Sequence, residues 1–579
     1  MLRPETEIGE QLLASTPLYP VGRIAEKLLS LDRLDGVYSD SLGQGEFFET
    51  FLKRLAIRFA CPEHELARVP ESGPVVVVSN HPFGLAEAPV LAALLARRRR
   101  DFRFLANSML AGIDVLRDHL IAVDPFGGAA RENARGVRAA IEWVREGKLL
   151  VVFPSGEVSS LRFPQLRIAD PAWNESISRI VRITGATAVP VYFHGANSAT
   201  FHIAGMIHPR LRTALLPREL FEKGGRTISV SIGVPIEPRA TPISNREMTA
   251  FLRVRTELLQ TRRLERRKPA RIVQKKSEEI AAAGDPKLLV EEVGKLAPLV
   301  QSGSFQAFLA DASAVPATIQ ELGRLREISF RAAGEGTGRG RDLDRFDEWY
   351  KHLYIWDKER NAIAGAYRMG LSDSILTKRG PGGLYTSTLF KFDVDFPAQL
   401  GPSIELGRSF IAPQYQKEYL PLLLLWKGIC RFVVENPRYR TLFGPVSISN
   451  DYGAISRALM VEFCKAQRDP ELAAMVKPRR KFHSPSLPGC ELPLSCAADD
   501  VSELSELIAD LEPDRKGVPV LLRQYLNLGG TVLDFNVDPQ FANAVDGLIV
   551  VDLLKADRRL LARYMGRDGI AQFLEFHEA

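Results

Sequence analysis

The sequence predicts an α/β chain of two domains, and three observations carry that expectation. From 74 to 236, short apolar runs alternate with stretches of helical periodicity, the pattern of a largely parallel sheet layered with helices. Beyond a proline-rich EPRATPISN and a basic run, the rhythm changes: strand-like runs at 352–355, 363–368, 403–410 and 441–444 surround one strongly apolar helix at 420–429. At 579 residues, finally, the chain is too long for one hydrophobic core. Its 45% hydrophobic and 25% charged residues are those of a folded soluble protein.

Taken in order, residues 1–70 carry helical periodicity in pieces: Ile24, Leu28, Leu29 and Leu31, then Phe47, Phe48, Phe51, Leu52 and Leu55. Leu13 to Leu29 includes Pro20 and Gly22, which divide it into two short helices. This segment is expected to be helical and to rest on a membrane surface or on the next domain. Residues 71–240 form the first domain, with strands expected at 75–78, 104–106, 121–123, 149–153, 188–193 and 228–232. Helix 131–146 between them puts Val137, Ile141 and Val144 on one face. Residues 241–299 are expected to be a basic linker or bridging helices, since 253–276 holds Arg262, Arg263, Arg266, Arg267, Lys268, Arg271, Lys275 and Lys276. Residues 300–579 form the second domain. There 325–330 ends a helix, and a Gly-rich AAGEGTGRGRD loop follows.

Five cysteines, odd in number and without CxxC spacing or neighbouring histidine pairs, point to a reducing compartment and to no metal site. No run of eighteen apolar residues and no signal-peptide start is found. The expected location is the cytoplasm, peripheral on the inner face of the cell membrane. The net charge of +6 is concentrated in 97–100 and 253–276. Either run suits anionic lipid headgroups, an acidic carrier protein or nucleic acid, and equally a solvated helix face.

The chemistry begins at VVVVSNHPFGLAE. Four valines read as a strand buried on both faces, and it stops at Asn80 and His81, with Glu87 six residues beyond the histidine. A histidine at a strand end with a carboxylate nearby is the arrangement of a base and its orienting acid. It is equally that of a histidine capping the following helix. Two more strand ends share the vocabulary: Phe153-Pro154-Ser155-Gly156-Glu157-Val158-Ser159, and Val189-Pro190-Val191 with Gly195 and Asn197-Ser198.

These three blocks, in this order, resemble the glycerolipid acyltransferase superfamily over about 50–240. That family places an Asp after four residues from its His; here five residues intervene and the acid is Glu, one methylene longer. The resemblance implies His81 as base toward a lipid hydroxyl and Glu87 as its orienter. Backbone groups around Ser155, Gly156 and Glu157 would bind the acceptor, and Asn80 would fix the loop. Where the family carries a phosphate-clamping Arg in its third block, this chain has Gly156-Glu157-Val158. A phosphate would then depend on Arg162 or Arg131, which favours a lyso-lipid acceptor without that phosphate. In this the blocks look like the hemolysin-like acyltransferase branch.

The second half resembles the ornithine N-acyltransferase family, a GNAT branch akin to acyl-homoserine-lactone synthases, over about 300–455 and more loosely 515–553. The residues that carry this are Arg326 and Phe330, Phe346-Asp347 with His352-Leu353, Gly365, Tyr367 and Arg368, and Glu405-Leu406-Gly407-Arg408-Ser409. Glu405 or Asp347 would hold and deprotonate an amine, and Arg368 or Arg408 would take a carboxylate or a phosphopantetheine phosphate; Arg326 belongs to the same substrate-binding set. On a regular strand Glu405 and Arg408 point to opposite faces unless a bulge at Gly407 turns one back. The place of a pyrophosphate loop reads 413–418, PQYQKE, without glycine, which favours a carrier-linked donor over acetyl-coenzyme A. His119, His194, His202 and His352 show no partner pattern and read as core or surface histidines.

Together the resemblances imply a bifunctional acyltransferase making an aminolipid, ornithine lipid first. The second domain would N-acylate the amino acid with a 3-hydroxyacyl group, and the first would O-acylate the resulting lyso-lipid. The donor co-substrate is an acyl-carrier-protein or acyl-coenzyme A thioester, with no bound cofactor or metal. The partners expected are acyl carrier protein, the amino acid, the lyso-lipid and a membrane surface, not nucleic acid. Two alternatives stand beside it: a lysophospholipid acyltransferase whose GNAT domain takes glutamine, lysine or glycine, and a non-catalytic membrane-associated hemolysin-like protein.

Overall fold

The computed structural model describes residues 30–43, 46–107, 114–123, 130–162, 166–207, 209–237, 244–262, 277–485 and 493–578. The chain divides into two units, Met1–Arg267 with Ser486–Ala497, and Lys268–Pro485 with Ala498–Ala579. Both are mixed α/β.

The first unit has a seven-stranded sheet: β1 (Arg58–Ala60), β2 (Val75–Ser79), β3 (Phe102–Asn107), β4 (Leu120–Val123), β5 (Leu149–Val152), β8 (Thr187–His194) and β9 (Thr227–Ile232), with a separate hairpin of β6 (Ser160–Arg162) and β7 (Arg167–Ala169). The order is β1-β9-β8-β2-β5-β3-β4. All neighbours are parallel except β8 and β9. The six strands expected from the sequence form here, and β2 lies in the middle. Its period of two explains the four valines. Val75 and Val77 face a core with helices α1 (Leu31–Ser41), α2 (Phe47–Arg54) and α3 (Glu87–Leu95). Val76 and Val78 face the opposite core, with α4 (Ala130–Arg145), α5 (Ser176–Thr184) and a later helix at Asn245–Leu258. Each fully buried valine contributes about 1.5–3 kcal/mol, so a polar residue anywhere in the run would be costly. Two further helices, α6 (Ala199–Ile207) and α7 (Pro209–Glu222), precede β9.

Helix α8 (Asn245–Leu258) lies in the stretch expected from sequence to be a basic linker or bridging helices. Its Ser244–Glu247 capping box fixes its start, and Met248, Phe251 and Leu252 enter the core of the first unit. Most of the basic run, 263–276, and the periodicity before residue 30 lie outside the described residues. Leu31, Phe51 and Leu52 are core residues of the first unit.

The second unit has an eight-stranded sheet of β10 (Val300–Ser302), β11 (Phe305–Asp311), β12 (Lys351–Asp357), β13 (Ala362–Leu371), β15 (Ser403–Ile411), β16 (Thr441–Ile448), β18 (Thr531–Asp538) and β19 (Ala544–Asp552). β14 (Phe390–Phe392) pairs with β17 (Val476–Pro478) apart from it. The order is β10-β11-β12-β13-β15-β16-β19-β18, antiparallel everywhere except β15 with β16. That parallel register runs only from Ser403↔Thr441 to Glu405↔Phe443, although both strands continue. Helix α9 (Pro316–Ala332) contains Arg326, and α10 (Tyr419–Glu435) packs its Leu424, Ile429 and Val433 against β11 to β13. At seventeen residues α10 is a core helix. Among the described residues no helix is long and apolar enough to cross a membrane.

Candidate active sites

In the first unit the chain leaves β2 at Ser79 and makes a tight turn before α3. Gly84 holds a φ of 93°, and a β-carbon there would meet Leu216 at 2.5 Å. Asn80 is buried and clamps the turn to β8: its amide donates to Phe193 O (3.0 Å) and accepts from Phe193 N (2.7 Å). It is therefore committed to the backbone. Glu87 is the first residue of α3 and reaches back, its Oε1 accepting from Phe83 N (2.5 Å) and Gly84 N (3.1 Å). The same oxygen stands 3.3 Å from His81 Nδ1. The extra residue before the acid is thus absorbed by the turn.

His81 stacks on Phe153 at 4.4 Å, and its side chain stays 16% exposed. Burial alone would lower its pKa, but the charges of Glu87 and Asp170 prevail and raise it above the ordinary value. Burial would raise Glu87, yet His81 and the two backbone N–H groups hold it below the carboxylate norm. Among the described residues no hydrogen bond engages His81 Nε2.

A residue that sequence reasoning missed completes the arrangement. Asp170, buried, accepts from His81 N (3.2 Å), from Ser159 Oγ, and from Trp173 Nε1 (3.3 Å), while Ser159 N donates to His81 O (2.8 Å). Asp170 and Ser159 thus grip both backbone groups of His81. The signal available in sequence was the Asp170-Pro171-Ala172-Trp173 run, silent without the fold.

The turn at 154–157 closes on itself, Gly156 N donating to Phe153 O (3.0 Å) and Ser155 Oγ to Glu157 O (2.8 Å). Glu157 pairs with Arg212 of α7 at 2.9 Å. Arg162 is exposed on β6, and the Arg131 side chain lies outside the described residues.

In the second unit the expected residues meet in one buried network. Arg326 donates to Asp347 (2.6 Å), and Arg368 lies 2.6 Å from Asp344 and 3.4 Å from Asp347. Arg408 pairs with Asp342 (2.9 Å) and Asp344 (3.3 Å) and donates to Tyr385 OH (3.0 Å). Against burial, Arg326 and Arg368 hold the Asp347 carboxyl far below its usual range. His352 is the satisfied core histidine expected: Nε2 bonds Asp347 O at 2.9 Å, Nδ1 faces Arg326 at 3.3 Å, and burial with Arg326 pushes its pKa down to about 4.

Arg408 joins this network through a bulge. Arg368 pairs with Gly407 and Ala366 with Phe410, so Tyr367 faces two residues, and Arg408 has a φ of 50°. The bulge brings Arg408 and Glu405 to the same residue, Tyr385. Glu405 is buried, accepting from Tyr350 OH, Tyr385 N (3.1 Å) and Thr386 N (2.6 Å). Burial raises its pKa against these donors. Asp342, Asp344, Tyr350 and Tyr385 were missed from sequence; the Asp342-Leu343-Asp344-Arg345-Phe346-Asp347 spacing was the signal for two of them. Near Arg408 lies buried Asp546, which accepts from Ser447 Oγ at 2.7 Å, and near Asp546 lies Glu335. Burial, with Asp538 near the first and Asp546 and Asp451 near the second, raises them to about 7 and about 8.

No cluster that could hold a metal occurs among the described residues. Cys61, Cys430 and Cys464 are free thiols, and Cys490 lies outside the described residues.

Residues 40–264 match the family described as acyltransferase, and residues 325–426 the acetyltransferase (GNAT) domain. The chain is 29% identical over 270 residues to a glycine N(alpha)-acyltransferase of Bacteroides thetaiotaomicron, covering 44% of this chain and 80% of that one. It is 24% identical over 253 residues to an L-ornithine N(alpha)-acyltransferase of Agrobacterium fabrum, covering 42% and 78%. To a lyso-glycine lipid O-acyltransferase of Phocaeicola vulgatus it is 25% identical over 178 residues, covering 30% of this chain and 62% of the relative.

Proposed function

We propose that this chain, an acyltransferase with one acyltransferase domain at 40–264 and a GNAT domain at 325–426, makes a diacylated aminolipid in two steps. The second unit transfers a 3-hydroxyacyl group from acyl carrier protein to the α-amine of an amino acid. The first unit then acylates the 3-hydroxyl. The observation that carries the reading is the co-occurrence of two separate polar sites, His81 with Glu87 and the Arg326–Arg408 network, in domains whose relatives perform N- and O-acylation separately.

In the O-acylation step His81 Nε2 removes the proton as the hydroxyl attacks the thioester carbonyl, and Glu87 stabilises the imidazolium that forms. His81 returns the proton to the departing thiolate. Asn80 and Asp170 keep the turn in place, and the 154–157 turn binds the acceptor. A phosphate-free acceptor is supported by Glu157, whose carboxylate already neutralises Arg212. In the N-acylation step Glu405 and Asp347 serve the amine and Arg368 and Arg408 the acceptor carboxylate or the carrier phosphate. The protein works peripherally on the cytoplasmic face of a membrane.

Ornithine is the first candidate amino acid, supported by the 24% identity to an L-ornithine N(alpha)-acyltransferase. Glycine is the second reading, favoured by the 29% identity to a glycine N-acyltransferase. Expression in a host that lacks aminolipids, followed by lipid mass spectrometry, is expected to reveal a new ninhydrin-positive diacyl lipid whose headgroup mass names the amino acid. Absence of such a lipid, with lysophospholipid acylated by the purified protein, overturns the reading.

A further inference from the structure

Helix α6 runs through Ala199–Ile207 without a charged residue and carries apolar side chains on its outside. Phe201 and His202 turn inward, whereas Ile203, Met206 and Ile207 are 54%, 50% and 76% exposed. Their i, i+3, i+4 spacing makes one stripe, the reverse of a helix facing water. The β6–β7 hairpin packs beside this helix, and there Leu166 is 66% and Ile168 41% exposed. Leu166 also holds a φ of 51°, uncommon for a residue with a side chain. On the hairpin's other face Arg162 and Arg167 stand directly across from one another. Like charges so placed repel, and anionic groups would relieve them.

Both elements are rooted at His81. Ser159 precedes β6 and Asp170 follows β7; they bond each other and the two backbone groups of His81. Asn197, two residues before α6, donates to Phe83 O at 3.1 Å.

We infer that α6 and the β6–β7 hairpin form the surface on which this unit docks to an anionic bilayer. The aliphatic side chains enter the boundary between headgroups and acyl chains, and the arginine pair meets the headgroups. The turn that holds His81 is thereby brought to the depth at which a lyso-lipid hydroxyl lies. An acidic carrier protein would satisfy the arginines but leave the aliphatic stripe in water, so the bilayer is the better occupant. The inference rests on the O-acyltransferase reading of this unit.

Full-length protein carrying Ile203→Glu and Ile207→Glu together is sedimented with phosphatidylglycerol vesicles and with phosphatidylcholine vesicles, its fold checked by a thermal melt. An Ile207→Gln chain serves if the double variant melts early. Wild type is expected to prefer phosphatidylglycerol and to weaken with salt. The double variant should lose roughly tenfold or more in partition, and Arg167→Glu should lose the anionic preference. On a short-chain lyso-lipid dispersed as monomers the double variant should keep the wild-type rate. Undiminished vesicle binding by the folded variants overturns the docking surface, as does loss of carrier-protein binding with vesicle binding intact. If the vesicle results hold while even wild type leaves the short-chain acceptor unacylated, the docking surface stands and the O-acyltransferase reading fails.

Discussion

His81 and Glu87 titrate as a pair whose members are pulled apart, the histidine upward and the carboxylate downward. A base must be neutral to accept a proton, so O-acylation is expected to rise as pH climbs through the raised His81 pKa. Glu87→Gln removes the main opposing charge and leaves burial to act. The acid limb of the pH–rate profile should then move to lower pH, with a reduced plateau, in a lyso-lipid acylation assay. His81→Ala should cut that rate by about 10²–10⁴-fold and leave the mono-acylated lipid to accumulate, read by mass spectrometry. Glu405→Ala should abolish both lipids, because the first acyl transfer supplies the second. His81 and Glu87 were legible because a histidine ending an apolar strand is conspicuous in one dimension. Asp170 was not: its partners His81 and Ser159 lie 89 and 11 residues away and meet it only when the sheet has formed. Glu405, legible as a carboxylate in the right strand, proves to be closed under three donors, a crowding that alternation cannot convey.

Elements were legible in proportion to their burial. The central strands announced themselves as unbroken apolar runs, whereas α8 was legible only as a bridging helix, its place in the core of the first unit masked by the charge of its stretch. Edge elements such as β1, β6 and β7 are three residues long, too short for any period to register. Two positions hold elements together by contacts that can be broken singly. Asn80→Ala leaves Phe193 N and O without their partner and should cost about 2 kcal/mol or more, measured by denaturant unfolding. Gly444 admits no side chain, since a β-carbon would lie 2.0 Å from Leu406 O. Gly444→Ala should destabilise the second unit by roughly 1–3 kcal/mol in thermal denaturation, with N-acylation falling at temperatures where the first unit still works. The bulge at Arg408 belongs to this scale too. The alternation of β15 raised the question of which face Arg408 takes, and only the pairing with β13 answers it.

For the whole molecule, two units with separate cores predict separable functions. Co-expression of the His81→Ala chain with the Glu405→Ala chain is expected to restore the diacyl lipid, the lyso-lipid passing between them through the membrane; its absence in lipid extracts would mean the intermediate never leaves the chain that made it. That the chain holds two domains was legible from composition, whereas the return of 493–497 to the first unit was not, because a short excursion leaves no compositional trace. One bond in the first unit has a bearing on descent. Since Ser159 and Asp170 tie the two ends of the β6–β7 excursion together, its length is uncoupled from the register of the residues it leaves and rejoins. Doubling such a loop costs only about 0.6 kcal/mol in closure entropy. A change in the length of that ten-residue stretch is therefore expected to leave the grip of Ser159 and Asp170 on His81 intact.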